Sequence, residues 1–285
     1  MIEHRIKANG LTHFVRDDGP EDAPVAILLH GFPDSSAVWS AVTPLLVAEG
    51  FRIIAPDMRG FGETDMAPHT EDYEIFSAGA VPDVMGVLDR LNIERAHVVG
   101  HDFGAPVGWA LAALHPERFI TLTALSVGHP RAFMKGGFKQ KLMSWYIVFH
   151  QLRGFAEWGY RYRNWRYLRK HWKGHPDPDG AIALLEREGR LTAGLNWYRA
   201  NMSFERMLKP PPFGARGNEF VRIPTLGIWS DGDKYLDEKQ METSGAYVKA
   251  PWRYERLEGV GHWISYEAPE RLAELLADFW RAHSA

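Results

Sequence analysis

Short apolar runs of four to eight residues, each closed by turn-forming residues, alternate along the chain with longer stretches in which apolar residues recur every three or four positions. Continuous apolar runs are the signature of strands buried on both faces, and the helical stretches between them supply the crossovers that parallel strands require. This pattern predicts strands at Val25–Leu29, Ile53–Ala55, His97–Val99, Leu122–Val127, Thr225–Trp229 and Tyr254–Leu257. It predicts helices over Ser36–Glu49, Ile75–Leu91, Phe103–Leu114 and Ala268–Ala282. From about Arg131 to Phe220 the rhythm stops: no strand stands out, Trp and Tyr are frequent, and the stretch closes on Lys209-Pro210-Pro211-Pro212-Phe213-Gly214. The expected architecture is therefore α/β, a mostly parallel sheet with helices on both faces. Residues 1–130 and 221–285 form its core, and residues 131–220 form an inserted helical cap.

Composition narrows the chemistry. The chain has 285 residues and no cysteine, which removes thiol nucleophiles, disulfide frameworks and iron–sulfur clusters, and fits a cytoplasmic setting. At this length a fold buries about three quarters of its extended surface, so no metal or covalent staple is needed. The start, Met1-Ile2-Glu3-His4-Arg5-Ile6, is charged, so no secretory leader is expected, and no apolar run is long enough to span a bilayer. A net charge of −3 gives no general attraction to nucleic acid, and neither a nucleic-acid nor a membrane partner is expected. Thirteen per cent aromatic residues, 11 of them Trp, suit either core packing or an aromatic-walled cavity.

Ligands of open parallel sheets bind beyond the carboxyl ends of the strands, so the residues that follow each strand matter most. His97–Val99 runs into Gly100-His101-Asp102-Phe103-Gly104 and then a helix. A small residue on either side of a central nucleophile is what a tight strand-to-helix turn needs, and the helix start aims backbone N–H groups at the site. Asp102 alone would also serve as a helix N-cap. Three other strand ends converge on the same reading. Val25–Leu29 leads into His30-Gly31-Phe32-Pro33-Asp34, Thr225–Trp229 into Ser230-Asp231-Gly232-Asp233, and the last strand into Gly259-Val260-Gly261-His262-Trp263. Nucleophile, acid and histidine follow one another in the order used by hydrolases built on such sheets.

On these pieces, together with Asp57-Met58-Arg59-Gly60-Phe61-Gly62 and Leu195-Asn196-Trp197-Tyr198-Arg199, the sequence resembles the α/β-hydrolase superfamily and, within it, the epoxide hydrolase branch. The resemblance implies Asp102 as nucleophile, His262 as base and Asp233 as its acid. Ser230 stands where the family carries Gly, so Asp231 stays a competitor. It implies backbone N–H groups of Phe32 and Phe103 as an oxyanion hole, and two ring-opening tyrosines from the insertion, matched here by Tyr198 and, more loosely, Tyr146.

An aspartate suits attack on saturated carbon, because the ester it forms has a carbonyl that water can attack, whereas a serine would be trapped as an ether. A phenol can both hydrogen-bond and protonate the alkoxide of an opening epoxide. The same three residues would also serve a haloalkane dehalogenase, but that family carries donors where Phe32 and Phe103 stand. Fluoroacetate dehalogenases carry arginines where Phe103 and Pro106 stand. A non-catalytic binding protein is the remaining alternative. Phe32, Phe103 and Trp263 are expected to wall an apolar or aromatic epoxide, with no cofactor and no metal; monomer and homodimer stay open. The mixture of Arg161, Arg163, Arg166, Arg169, Lys170 and Lys173 with Tyr160, Tyr162, Trp165, Tyr167 and Trp172 is read as a helix with an aromatic inner and a solvated outer face. The His171/His175 pair is discounted as a metal site, and Asn201-Met202-Ser203 as a glycosylation acceptor.

Overall fold

The computed structural model describes residues 1–172, 175, 177–203, 205–206 and 219–284, apart from the side chain of residue 171. Eight strands form one sheet in the order β1-β2-β4-β3-β5-β6-β7-β8. They are β1 Ile2–Ala8, β2 Leu11–Asp18, β3 Val25–Leu29, β4 Arg52–Pro56, β5 Ala96–His101, β6 Phe119–Leu125, β7 Thr225–Ser230 and β8 Trp252–Leu257. From β4 to β8 every neighbouring pair is parallel. The central strands are buried on both faces, which is why they read as unbroken apolar runs.

The first two strands escaped the sequence pattern. They pair antiparallel with each other, and β2 pairs antiparallel with β4 at the edge of the sheet. Being half-exposed, β1 carries polar residues that dilute its apolar signal. The signal that was available is Asn9-Gly10, a two-residue turn with both φ angles positive that joins Ala8 to Leu11.

Two helix predictions also shift. Ser36–Glu49 splits into a 3-10 turn at Ser36–Trp39 and α1 at Thr43–Ala48, whose first turn contains Pro44. In place of a helix from Ile75, α2 runs over Ala80–Arg90, because the Glu74 carboxylate gathers the backbone N–H groups of Phe76, Ser77, Ala78 and Gly79 into a turn. The helix after β5 is α3, Gly104–Leu114.

Between β6 and β7 the described residues form helices and their connections, with one isolated parallel bridge from Val221 to Val248. The helices are α4 Pro130–Met134, α5 Phe138–Met143, α6 Trp145–Gln151, α7 Phe155–His171, α8 Pro178–Glu186 and α9 Arg190–Asn201. The backbone of α7 leaves helical geometry at Tyr162–Trp165. The Pro-rich run at 209–214 and Lys173 lie outside the described residues. After β7 come α10 Glu238–Glu242, α11 Ile264–Glu267 and α12 Pro269–Arg281. Leu272, Leu275, Leu276, Phe279 and Trp280 recur at helical spacing on α12 and are buried, packing it onto the sheet.

Candidate active site

Strand β5 ends at His101 and α3 starts at Gly104, so the chain reverses in two residues. Asp102 takes the strain, with φ at 49°, a conformation that costs an ordinary side chain about 1–2 kcal/mol. The turn is possible because nothing larger than hydrogen stands at its close approaches. A Cβ on Gly104 would lie 2.0 Å from the Leu29 carbonyl oxygen, and one on Gly31 would lie 2.2 Å from Asp102 Oδ1. The second value explains why the loop after β3 carries Gly31: its backbone must come against the Asp102 carboxylate.

That approach gives the carboxylate its partners. Asp102 Oδ1 accepts the Phe32 N–H at 2.8 Å, and the Phe103 N–H also bonds the carboxylate. Asp102 Oδ2 stands 3.9 Å from His262 Nε2, too far for a hydrogen bond. On the other side of the ring, His262 Nδ1 meets Asp233 Oδ2 at 2.7 Å. Asp233 Oδ1 accepts the N–H groups of Tyr235 (2.8 Å) and Leu236 (3.1 Å). Asp231, the competitor in the sequence, instead accepts the Gly259 N–H and faces Arg256. Ser230 Oγ donates to the Gly261 carbonyl at 2.6 Å, so the residue that departs from the family pattern helps fix the loop carrying His262.

Burial pushes the Asp102 carboxyl up to about 6, although His262 and the two backbone N–H groups pull the other way. Burial alone would lower His262, but the charge and hydrogen bond of Asp233, joined by the charge of Asp102, raise it to about 8. Burial opposes ionisation of Asp233 too, yet His262 and the backbone donors hold its carboxyl below the usual range. Near neutrality the site therefore holds two carboxylates and an imidazolium.

A cavity of about 150 Å³ opens over Asp102 and His262, with Phe32, Trp263, Tyr146 and Tyr198 in its wall. The Tyr146 and Tyr198 rings meet edge to face with centroids 5.9 Å apart, and among the described residues neither hydroxyl has a hydrogen-bond partner. Burial, followed by the charge of Asp102, drives both phenols well above their ordinary pKa. One expected wall residue is elsewhere. The Phe103 ring packs under Tyr198 at 4.6 Å and lines a neighbouring cavity of about 600 Å³, because the first turn of α3 carries it past the elbow.

Several wall residues were not anticipated. His150 Nε2 bonds the Tyr160 hydroxyl, and the His150 ring rests 4.2 Å from that of Tyr198. Tyr167, Trp172 and Tyr235 also line the cavity. Of these only Tyr235 had a usable signal, its place two residues beyond Asp233. Asp34, the last residue of the turn after β3, binds His175 Nε2 at 2.9 Å and the Trp263 indole N–H at 3.0 Å, tying the helical segment to the loop of the catalytic histidine candidate. The discounted pair is thus divided: His175 is used by Asp34, and the side chain of His171 lies outside the described residues. Asn201 is occupied as well, donating to the Tyr73 and Trp197 carbonyls and accepting the Ile75 N–H.

A family model described as alpha/beta hydrolase fold matches residues 24–269, and with the relatives below it shows that the chain belongs to the α/β-hydrolases and, within them, to the epoxide hydrolase family. It is 30% identical over 317 aligned residues to epoxide hydrolase A of Mycobacterium tuberculosis, covering 97% of this chain and 96% of that one. It is also 30% identical to epoxide hydrolase 2 of Siraitia grosvenorii, with 98% of each chain covered. Among solved structures, epoxide hydrolase A from Mycobacterium thermoresistibile superposes with a TM-score of 0.83 at 27% identity over 98% of both chains.

Proposed function

We propose that this protein converts an epoxide and water to a vicinal diol through a covalent ester on Asp102. The observation that carries the proposal is a carboxylate, rather than a hydroxyl, on the strained turn, held at one oxygen and facing two unpartnered phenols across one cavity. Because Oδ1 accepts the Phe32 N–H, Oδ2, on the His262 side, is the oxygen free to attack. It forms a bond to one oxirane carbon as the carbon–oxygen bond breaks. Tyr198 and Tyr146 hydrogen-bond the departing oxygen, and one of them gives it a proton.

The second half runs on His262. Ester formation removes the Asp102 charge, one of the influences that holds the imidazole protonated, so the His262 imidazolium gives up its proton, which restores the tyrosinate left by ring opening, and the neutral ring can then take a proton from water. That water attacks the ester carbon, and charge develops on Oδ1, where the Phe32 N–H already lies, with the Phe103 N–H also on the carboxyl group. Asp233 fixes the tautomer and stabilises the imidazolium, which then protonates the departing alkoxide oxygen as the bond between it and the Asp102 carboxyl carbon breaks and the carboxylate is regenerated.

In this reading residues 131–220 act as a cap that delivers the tyrosines to a core made of residues 1–130 and 221–285. The small aromatic cavity suits an apolar or aromatic epoxide, and a chain without cysteine is suited to the cytoplasm. Phe32 and Phe103 offer no side-chain donor to a halide, which ranks dehalogenation second. The test is a panel of epoxides and haloalkanes scored for diol and halide, with Asp102→Ala as control. Diol that disappears in the variant is expected; halide without diol would reverse the ranking, and neither product would favour a binding protein. In a single turnover in heavy-oxygen water with excess enzyme, the label should enter the Asp102 carboxylate and not the diol.

A further inference from the structure

The outer side of the helical segment inverts the usual arrangement of a soluble surface. Of the twelve large hydrophobic residues that stand exposed among the described residues, nine fall between Met134 and Tyr162. They are spaced so that one helix face after another turns apolar side chains outward. On α5 these are Phe138 and Leu142, four apart; on α6, Trp145 and Val148, with Leu152 just past its end. On α7, Phe155, Trp158 and Tyr162 repeat at three and four, with adjacent rings 5.4 and 5.1 Å apart. Phe138 is 76% exposed, Trp158 56% and Phe155 54%. Phe149 touches Phe155 and links the α6 and α7 stripes. The expected solvated outer face holds only for the arginines and lysines, while Tyr160, Trp165 and Trp172 do turn inward.

The charge around these stripes has one sign. Residues 131–172 contain ten Arg and Lys and a single acid, Glu157, which is buried and paired with Arg199. Arg131, Lys139 and Arg169 pair with acids from other segments. Lys141, Arg153, Arg161, Arg163, Arg166 and Lys170 are exposed and have no ion pair among the described residues. A patch of this kind asks for a partner that is apolar inside and anionic outside. A second copy set face to face would bring only further cations to the rim.

We propose that the exposed face of α5–α7 docks on an anionic lipid bilayer, with the aromatic stripes entering the interface and the arginines and lysines meeting the headgroups. Trp145 is both exposed and part of the reaction-cavity wall, so the docked face borders the site. Resting on the epoxide reading, this gives an apolar substrate a way in from the membrane in which it dissolves. Overall charge and the lack of a spanning segment pointed away from a membrane, but neither reports on a local surface.

The experiment is flotation of the full chain with vesicles of phosphatidylcholine alone or with a third of phosphatidylglycerol, without substrate. Partitioning onto the anionic vesicles should be at least about tenfold stronger, and should collapse when salt shortens the screening length to about 3 Å. The triple variants Phe138→Ser/Phe155→Ser/Trp158→Ser and Arg161→Glu/Arg166→Glu/Lys170→Glu should each lose about tenfold or more while keeping turnover of a water-soluble epoxide. No binding, equal binding to both vesicles, or binding untouched by either variant would overturn the proposal. So would a stable dimer in sedimentation that the Ser variant dissolves, which would give the face to a second copy. Because vesicles are read without turnover, failure to hydrolyse any epoxide would sink the proposed function and leave this result standing.

Discussion

Around Asp102 nearly every backbone atom is committed, whereas α5–α7 leave their apolar stripes facing outward. In the first region Gly31 and Gly104 permit contacts that no side chain would tolerate, a positive φ is held by the strand and helix on either side, and the carboxylate is already bound by two N–H donors. In the second, large side chains stand free and the backbone departs from helical geometry within α7. The difference teaches where precision is required. Charge that develops on one oxygen must be met by donors already in place, while an interface with a fluid partner needs only area and sign of charge. Tyr146 joins the two regions: it stands on α6, between the outward-facing Trp145 and Val148, yet its ring lines the cavity over Asp102.

That contrast can be broken by substitution. The largest effect is expected from His262→Gln: attack proceeds and release fails, so multiple turnover should drop at least about a thousandfold while an adduct of substrate mass builds up on Asp102, read by intact-protein mass spectrometry. An adduct on any other residue would remove the contrast at its base. Tyr198→Phe and Tyr146→Phe should each lower kcat about a hundredfold, and the double replacement should end ring opening, with stopped-flow alkylation as the measurement. Full activity in either single variant would confine the acid role to the other phenol.

Smaller effects sharpen it. Gly104→Ala, forced against the Leu29 carbonyl, should cost about 3 kcal/mol in denaturant unfolding, while Trp158→Ser on the exposed stripe should stay within about 0.5 kcal/mol. Last comes pH. Protonation destroys the nucleophile, so with Asp102 near 6 the alkylation rate should be level above that pH and fall about tenfold per unit below it. Asp34→Asn removes a like charge that helps hold the Asp102 carboxyl up, so the acid limb should move to lower pH; movement to higher pH would contradict the electrostatics described for the site.

Much of the core was legible because its periodicity is local. Buried parallel strands betray themselves as apolar runs, and the elbow and histidine loop carry their glycines beside the reactive residues. β1, half-exposed, and β2 were missed because polar residues interrupt their pattern, although Asn9-Gly10 announced the turn between them. The start of α2 was misplaced because a carboxylate, Glu74, took the N–H groups that a helix would have used.

The sequence alone carried the candidate reactive groups and their chain order, since a strand-to-helix turn around an aspartate is a local matter of backbone sterics. Only the tertiary structure could decide that Asp233 rather than Asp231 reaches His262, that Phe103 turns away from the small cavity, and that His150, Tyr160 and Asp34 join the neighbourhood. Those outcomes depend on distances between segments far apart in the chain. Such distances are set by how the helices pack on the sheet, and no spacing along the sequence encodes them.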